Sequence, residues 1–127
     1  MRVLIIEDEP LIGLELGRIV EEAGHVSIGP VATVEQALAH APRADAALVD
    51  LGLADGMSGS ALARRLIDRF GIQVIFVTGS PQDVGHGLDG AIDVVGKPFS
   101  DERIRRSLEK AKGGTQGHAL NVAADWP

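Results

Sequence analysis

Four places along this chain carry side chains that could act together on one group: Glu7-Asp8, Asp50, Thr78 and Lys97. Each closes a short, largely apolar run: Val3-Leu4-Ile5-Ile6, Ala46-Ala47-Leu48-Val49, Val74-Ile75-Phe76-Val77 and Ile92-Asp93-Val94-Val95-Gly96. Three carboxylates brought together repel one another unless a cation offsets them. A hard divalent ion of the Mg²⁺ type suits such a set, taking one or two carboxylates, a backbone carbonyl and several waters. A phosphoryl group arriving there would be held by the ion and by Lys97, with the Thr78 hydroxyl as a further donor. A carboxylate can itself be the nucleophile and form an acyl phosphate. Asp50 is the candidate, because it ends the run expected to be the central strand.

Each residue also has a plainer reading. A lone aspartate after a strand is most often a solvated loop residue or a helix cap. Acids before Pro10 could simply favour a helix N-terminus, worth ~0.3–1 kcal/mol, which accounts for Glu9 but not Asp8. Thr78 could cap the element that follows it, and Lys97 could be a surface lysine before a turn. Only the set as a whole points to chemistry.

The apolar runs predict the elements that would position it. Continuous apolar stretches of four to six residues suit strands buried on both faces of a parallel sheet. Between them lie helical patterns. Pro10 opens one that carries Ile12, Leu16, Ile19, Val20 and Ala23 and stops at Gly24. Val26-Ser27-Ile28 is expected as an edge strand that ends at Gly29-Pro30. Thr33 with Gln36 is a capping-box signature for a short helix through Ala41. After the loop Gly52 to Gly59, Leu62, Leu66, Ile67 and Phe70 mark a helix ended by Gly71. Residues 81–90 should form the next helix, though Gly85, Gly87 and Gly90 predict a short or distorted one. Ser100, with Asp101 and Glu102 behind it and Lys110 and Lys112 at the far end, predicts the last helix. Phe99 and Ile104 have the spacing of a hydrophobic staple across its start.

Five strands alternating with five helices predict a doubly wound α/β fold with a parallel sheet. The order 2-1-3-4-5 fits five strands, and its switch point lies between the strands that end in Asp8 and Asp50.

Composition bounds the rest. The chain has 127 residues, 45% hydrophobic and 24% charged, with aromatics at only 3%, so the core must be aliphatic. Cysteine is absent, which excludes disulfides and thiolate metal sites. The net charge of −6 argues against nucleic-acid binding. No apolar stretch reaches membrane-spanning length. His25, His40, His86 and His118 show no ligand spacing and are expected at the surface. Arg103, Arg105, Arg106, Lys110 and Lys112 interleave with acids and are expected on a solvated or partner-binding helix face.

These residues, in this order, resemble the receiver domain of bacterial two-component response regulators, over about residues 1 to 112. The resemblance implies a flavodoxin-like receiver fold for 1–112; residues 113–127, rich in Gly, Ala, Thr and Gln, are expected to form a flexible tail. It implies that Asp50 accepts phosphoryl from a sensor histidine kinase or a histidine phosphotransfer protein. Asp8 and Asp50 would bind Mg²⁺ directly, Gly52 through its carbonyl and Glu7 through water. Thr78 and Lys97 would contact the phosphoryl oxygens, and the Lys97-Pro98 peptide would be cis. Such a protein catalyses only its own phosphotransfer and dephosphorylation. It would be cytoplasmic, a monomer or weak homodimer, without nucleic-acid or membrane partners. With no further domain expected after residue 112, output would pass to a downstream protein, or the chain would act as a phosphate sink.

Three features depart from the family pattern. Val94 stands where the family has a switch aromatic, three positions before the lysine. The segment 81–90 is glycine-rich. The loop Asp50-Leu51-Gly52-Leu53-Ala54-Asp55-Gly56-Met57-Ser58-Gly59 replaces the common Met-Pro and resembles a Leu-x-Asp-Gly-x-x-Gly variant. The missing aromatic keeps open a pseudo-receiver adaptor that works without phosphorylation. A flavodoxin-like cofactor binder fits less well, because the first loop lacks hydroxyls and aromatics to hold a flavin are few.

Overall fold

Alternation along the apolar runs decides how the layers form. Successive strand side chains point to opposite faces, so an uninterrupted apolar run must be covered twice. The computed structural model describes residues 1–52, 59–83 and 90–111. Its strands are β1 (Arg2–Ile6), β2 (Val26–Val31), β3 (Ala46–Val49), β4 (Gln73–Thr78) and β5 (Asp93–Gly96). They form one parallel sheet in the order β2-β1-β3-β4-β5. The helices are α1 (Pro10–Glu22), α2 (Val34–His40), α3 (Gly59–Phe70) and α4 (residues 101–111).

Leu4, Ile6, Ala47, Val49, Val74 and Phe76 face one way, against Ala37 of α2 and Leu62, Ala63 and Leu66 of α3. Val3, Ile5, Ala46, Leu48, Ile75, Val77 and Val95 face the other. There they meet Leu16, Ile19 and Val20 of α1 and Ile104, Leu108 and Ala111 of α4. Both cores are aliphatic apart from Phe76 and the flanking Phe70 and Phe99. The register Ile6↔Val49↔Phe76↔Val94 sets the strand ends level, which is what brings the site residues to one rim.

The expected stops and caps are in place. Gly24 and Gly71 take positive φ (91° and 66°) where α1 and α3 end. Thr33 Oγ1 accepts from the Gln36 amide at 3.1 Å, while Gln36 Oε1 reaches back to the Ala32 amide at 2.9 Å. Ser100 Oγ accepts from the Arg103 amide at 3.1 Å and starts α4. Phe99 packs on the same core as Ile104. The Lys97-Pro98 and Gly29-Pro30 peptides are both cis.

One boundary differs from the sequence expectation. β2 does not stop at Gly29-Pro30 but runs on to Val31, with the register slipping from Leu4↔Ile28 to Ile6↔Val31. That slip is a bulge on an edge strand, where a proline without an N–H is tolerated and a glycine supplies the bend. Gly29 sits at φ 97°, and a Cβ there would lie 2.8 Å from the Val31 nitrogen. The extension matters for the site, because Val31 O accepts from the Glu7 amide at 2.9 Å.

The helix expected over 81–90 is represented among the described residues by a 3₁₀ turn, Pro81–Asp83, and the rest of that expectation falls outside them. So does the tail expected from 113 onward.

Candidate functional site

The backbone fixes the site before any side chain acts. The Asp50 amide donates to Ile6 O at 3.0 Å, and the Lys97 amide to Thr78 O at 2.8 Å. Each residue therefore leaves its strand in register with its neighbour. The ends of β1, β3, β4 and β5 deliver Glu7-Asp8, Asp50, Thr78 and Lys97 to one rim, as their spacing predicts.

Carboxylate oxygens of Glu7, Asp8 and Asp50 lie within 4.8 Å of one another. Lys97 closes the cluster: its Nζ donates to Glu7 Oε1 at 2.6 Å and stands 3.7 Å from Asp50 Oδ1. The Glu7 side chain is only 1% exposed, and Lys97 is 14% exposed. Glu7 Oε2 accepts from the Glu9 amide at 3.2 Å, so both of its oxygens have partners. Burial pushes the Glu7 carboxyl up to about 7, against the lowering pull of the Lys97 hydrogen bond. Burial works against the Lys97 charge, yet the hydrogen bond to Glu7 and the fields of Glu7 and Asp50 hold its pKa above the ordinary value.

Asp50 is ordered by its own loop, since Oδ1 accepts from the Gly52 amide at 3.2 Å. Thr78 is buried, and its Oγ1 accepts from the Ser80 amide at 3.0 Å. That is an ST-type turn leading into Pro81–Asp83, made by a residue that also lines the cleft. Glu9, Asp50, Gly52, Ser60, Thr78, Ser80 and Lys97 are among the residues that line an open cleft of about 470 Å³.

The donor set fits a hard divalent ion. Its side-chain donors are carboxylate oxygens, close enough to share one ion, in a pocket whose charge a single ammonium offsets incompletely.

A family model for the response regulator receiver domain matches residues 3–109. The chain belongs to the receiver-domain family. The receiver is 35% identical over 114 residues to the phyllosphere-induced regulator PhyR of Methylorubrum extorquens, covering 86% of this chain and 42% of that protein. It is 39% identical over 133 residues to the two-component response regulator PhoP of Pseudomonas aeruginosa, covering 100% of this chain and 58% of that one. The chain thus spans about half the length of these two relatives. Among solved structures, the signal receiver domain of a modulated diguanylate cyclase from Desulfovibrio desulfuricans superposes with a TM-score of 0.83 at 29% identity. That match covers 92% of this chain and 97% of the other. No helix among the described residues is long and apolar enough to cross a membrane.

Two surface expectations need correction. His25 is buried, with its Nδ1 3.2 Å from the N-terminal ammonium, because the turn at Gly24 that ends α1 ties the His25 amide to Val20 O at 3.1 Å. Arg103 is not simply a solvated residue of the α4 face. Its guanidinium grips both oxygens of Asp93 at 2.8 and 3.0 Å and donates to Val94 O at 3.1 Å. Ser107 and Lys110 join the same carboxylate at 2.5 and 3.2 Å. The i, i+4, i+7 spacing of Arg103, Ser107 and Lys110 was the available signal for this cluster. It needed only an acid on the neighbouring strand.

Sequence reasoning also passed over Gly59. A Cβ there would come within 2.5 Å of Asp50 O and 2.6 Å of Leu51 Cα. Its amide donates to Leu51 O at 3.1 Å, so the start of α3 is pressed against the backbone of Asp50. Val94, in place of the family aromatic, packs half-buried beside the Phe76 core.

Proposed function

We propose that this receiver is a phosphoacceptor of a two-component phosphorelay, with Asp50 as the site of modification. The observation that carries this is the placement of Asp50 at the end of β3, with Lys97 Nζ 3.7 Å away and Glu7 and Asp8 in the same cluster. An Asp50 carboxylate oxygen attacks the phosphorus of a phosphohistidine. The P–O bond forms as the P–N bond breaks, and the imidazole leaves with the electron pair and takes up a proton. Lys97 and the Thr78 hydroxyl stabilise the phosphoryl oxygens, since charge-assisted donors aimed at developing charge are the main catalytic device available.

Asp8, Asp50 and the Gly52 carbonyl would hold Mg²⁺ directly, with Glu7 acting through water. When bound, the ion supplies positive charge that lets carboxylates and a phosphoryl group share the pocket. Water-mediated loss of the phosphoryl group, also at Asp50, makes the modification reversible; no other substrate is turned over. The donor is a sensor histidine kinase or a histidine phosphotransfer protein, and the receiver acts in the cytoplasm as a monomer or weak homodimer. A modified Asp50 carries about two negative charges. Loops after β3 and β4 reorder around it, and a downstream protein that binds the reordered face better shifts the population.

Labelling with phosphoramidate, followed by borohydride reduction, tests the assignment. Reduction converts an aspartyl phosphate to homoserine, so the peptide containing residue 50 should carry that mass change. Homoserine at another aspartate would overturn it.

A second reading is an adaptor that binds partners regardless of phosphorylation. Val94 favours it, because no ring is present at that position to turn inward as Thr78 moves. Partner binding unaffected by Asp50→Ala, in a receiver that phosphodonors do not label, would establish that reading.

A further inference from the structure

The starts of β1 and β2 form a notch that the chemistry at Asp50 does not use. Arg2, Val26, Ile28 and Arg43 line it, and its volume of about 250 Å³ has room for one large side chain. Val26 and Ile28 stand on one face of β2, and the register Arg2↔Val26 puts Arg2 on the same face. Val26 is 57% exposed, a large apolar side chain left uncovered at the sheet edge. Among the described residues no carboxylate pairs with either guanidinium. Asp45 accepts from the Arg2 backbone amide at 2.7 Å, and Arg43 donates to His40 Nδ1 at 2.6 Å. Two cations beside an apolar floor suit a segment that offers an acid next to an aromatic ring.

The chain carries one such segment outside the described residues. Asp125 is the single acid of 113–127, and Trp126, the chain's single tryptophan, follows it directly. We propose that Asp125-Trp126 docks in this notch. The indole lies on Val26 and Ile28 with one guanidinium against its face, and the Asp125 carboxylate pairs with the other.

Reach and charge both favour this occupant. α4 ends at Ala111, which shares a core with Met1 and Val3 at the end of the sheet where β1 starts. From Lys112 to Asp125, a flexible linker containing Gly113, Gly114 and Gly117 has an end-to-end distance of ~20 Å and an extended limit of ~46 Å. That carries it round the sheet edge. Tethering at this length gives an effective concentration on the order of millimolar, so a modest contact suffices. An arginine over an indole supplies cation–π attraction. The chain as a whole has a net charge of −6, so an acid-bearing segment is drawn to the notch and repelled by much of the remaining surface. The floor is held in advance, since the Val26 amide donates to Met1 O at 2.9 Å and the Asp45 amide to Arg2 O at 2.8 Å. Docking then orders little besides the segment itself. The notch shares no lining residue with the cleft at Asp50, so that cleft stays open.

Tryptophan fluorescence of the full chain tests this, because Trp126 is the only tryptophan and tyrosine is absent. Emission from the folded protein should be blue-shifted, and its quenching by acrylamide weaker, relative to the chain unfolded in urea. Arg2→Gln/Arg43→Gln, and separately Val26→Glu, should return both readings to the unfolded-chain values with circular dichroism unchanged, since all three side chains are exposed. The wild-type readings should survive dilution, and NOEs from the indole to the Val26 and Ile28 methyls should appear without any variant. Solvent-exposed emission from folded wild type, or absence of those NOEs, would overturn the docking. Protected emission indifferent to both variants would place Trp126 elsewhere and overturn the notch. Protection lost on dilution would make the occupant a second copy's segment and overturn a contact within one chain.

Discussion

Gly59 lies against the backbone of Asp50 so closely that a β-carbon would come within 2.5 Å of the Asp50 carbonyl oxygen. The obstructing atoms are main chain, held by the Asp50 amide to Ile6 and by the Gly59 amide to Leu51, so no flexible side chain can give way. Gly59→Ala must move either α3 or the end of β3. We expect it to lower stability by ~1–3 kcal/mol, the usual range for overpacking a tight site. Phosphorylation of Asp50 should slow by more than the unfolded fraction explains. Urea denaturation alongside the rate of labelling by acetyl phosphate separates the two effects.

Asp93 should make acid sensitivity measurable. Burial works against its charge, yet the hydrogen bonds from Arg103, Ser107, the Val94 amide and Lys110 hold its carboxyl far below the ordinary carboxylate range. A depressed native pKa contributes stability that is fully present above the unfolded value of about 4 and is lost as pH falls below it. Asp93→Asn should therefore be destabilised at neutral pH by about 2 kcal/mol, below the full figure for a buried pair because Arg103 is partly exposed. The gap to wild type should close as pH falls from about 4 towards 2. A gap that stays constant across that range would contradict the assignment.

Thr33 offers a smaller, local prediction. Its side chain caps the Gln36 amide, and Gln36 answers at Ala32, so Thr33→Ala loses one donor's partner and loosens the reciprocal bond. Thermal unfolding should report a loss of about 1 kcal/mol. Phosphorylation of Asp50 should be unchanged, since α2 contributes no residue to the cleft.

Much of this fold was legible because apolar period and chain punctuation agreed. The runs ending at Glu7, Asp50, Thr78 and Lys97 were each too apolar to face water on either side, which left a doubly covered parallel sheet as their natural home. Pro10, Gly24, Thr33, Gly71 and Ser100 then marked where helices start and stop. The errors came where a tertiary partner outweighed local preference. Gly29-Pro30 looked like a strand end, but pairing with β1 carried the chain through it as a bulge. Arg103 looked like one solvated charge among several, since its partner Asp93 lies on another element, and His25 was drawn inward by the turn after α1. The contact between Gly59 and Asp50 had no sequence signal beyond the glycine itself, because close approach is a property of two segments. The site residues were identifiable by type and order. That Lys97 prefers Glu7 to Asp50 by about 1 Å in reach was not.

The central claim is that Asp50 takes up a phosphoryl group. Intact mass after incubation with acetyl phosphate, with and without Mg²⁺, on wild type and Asp50→Ala, addresses it most directly. The account predicts a gain of one phosphoryl group in wild type, dependent on Mg²⁺ and absent from Asp50→Ala. An equal gain in Asp50→Ala, or none in wild type with either acetyl phosphate or a phosphohistidine donor, would contradict it.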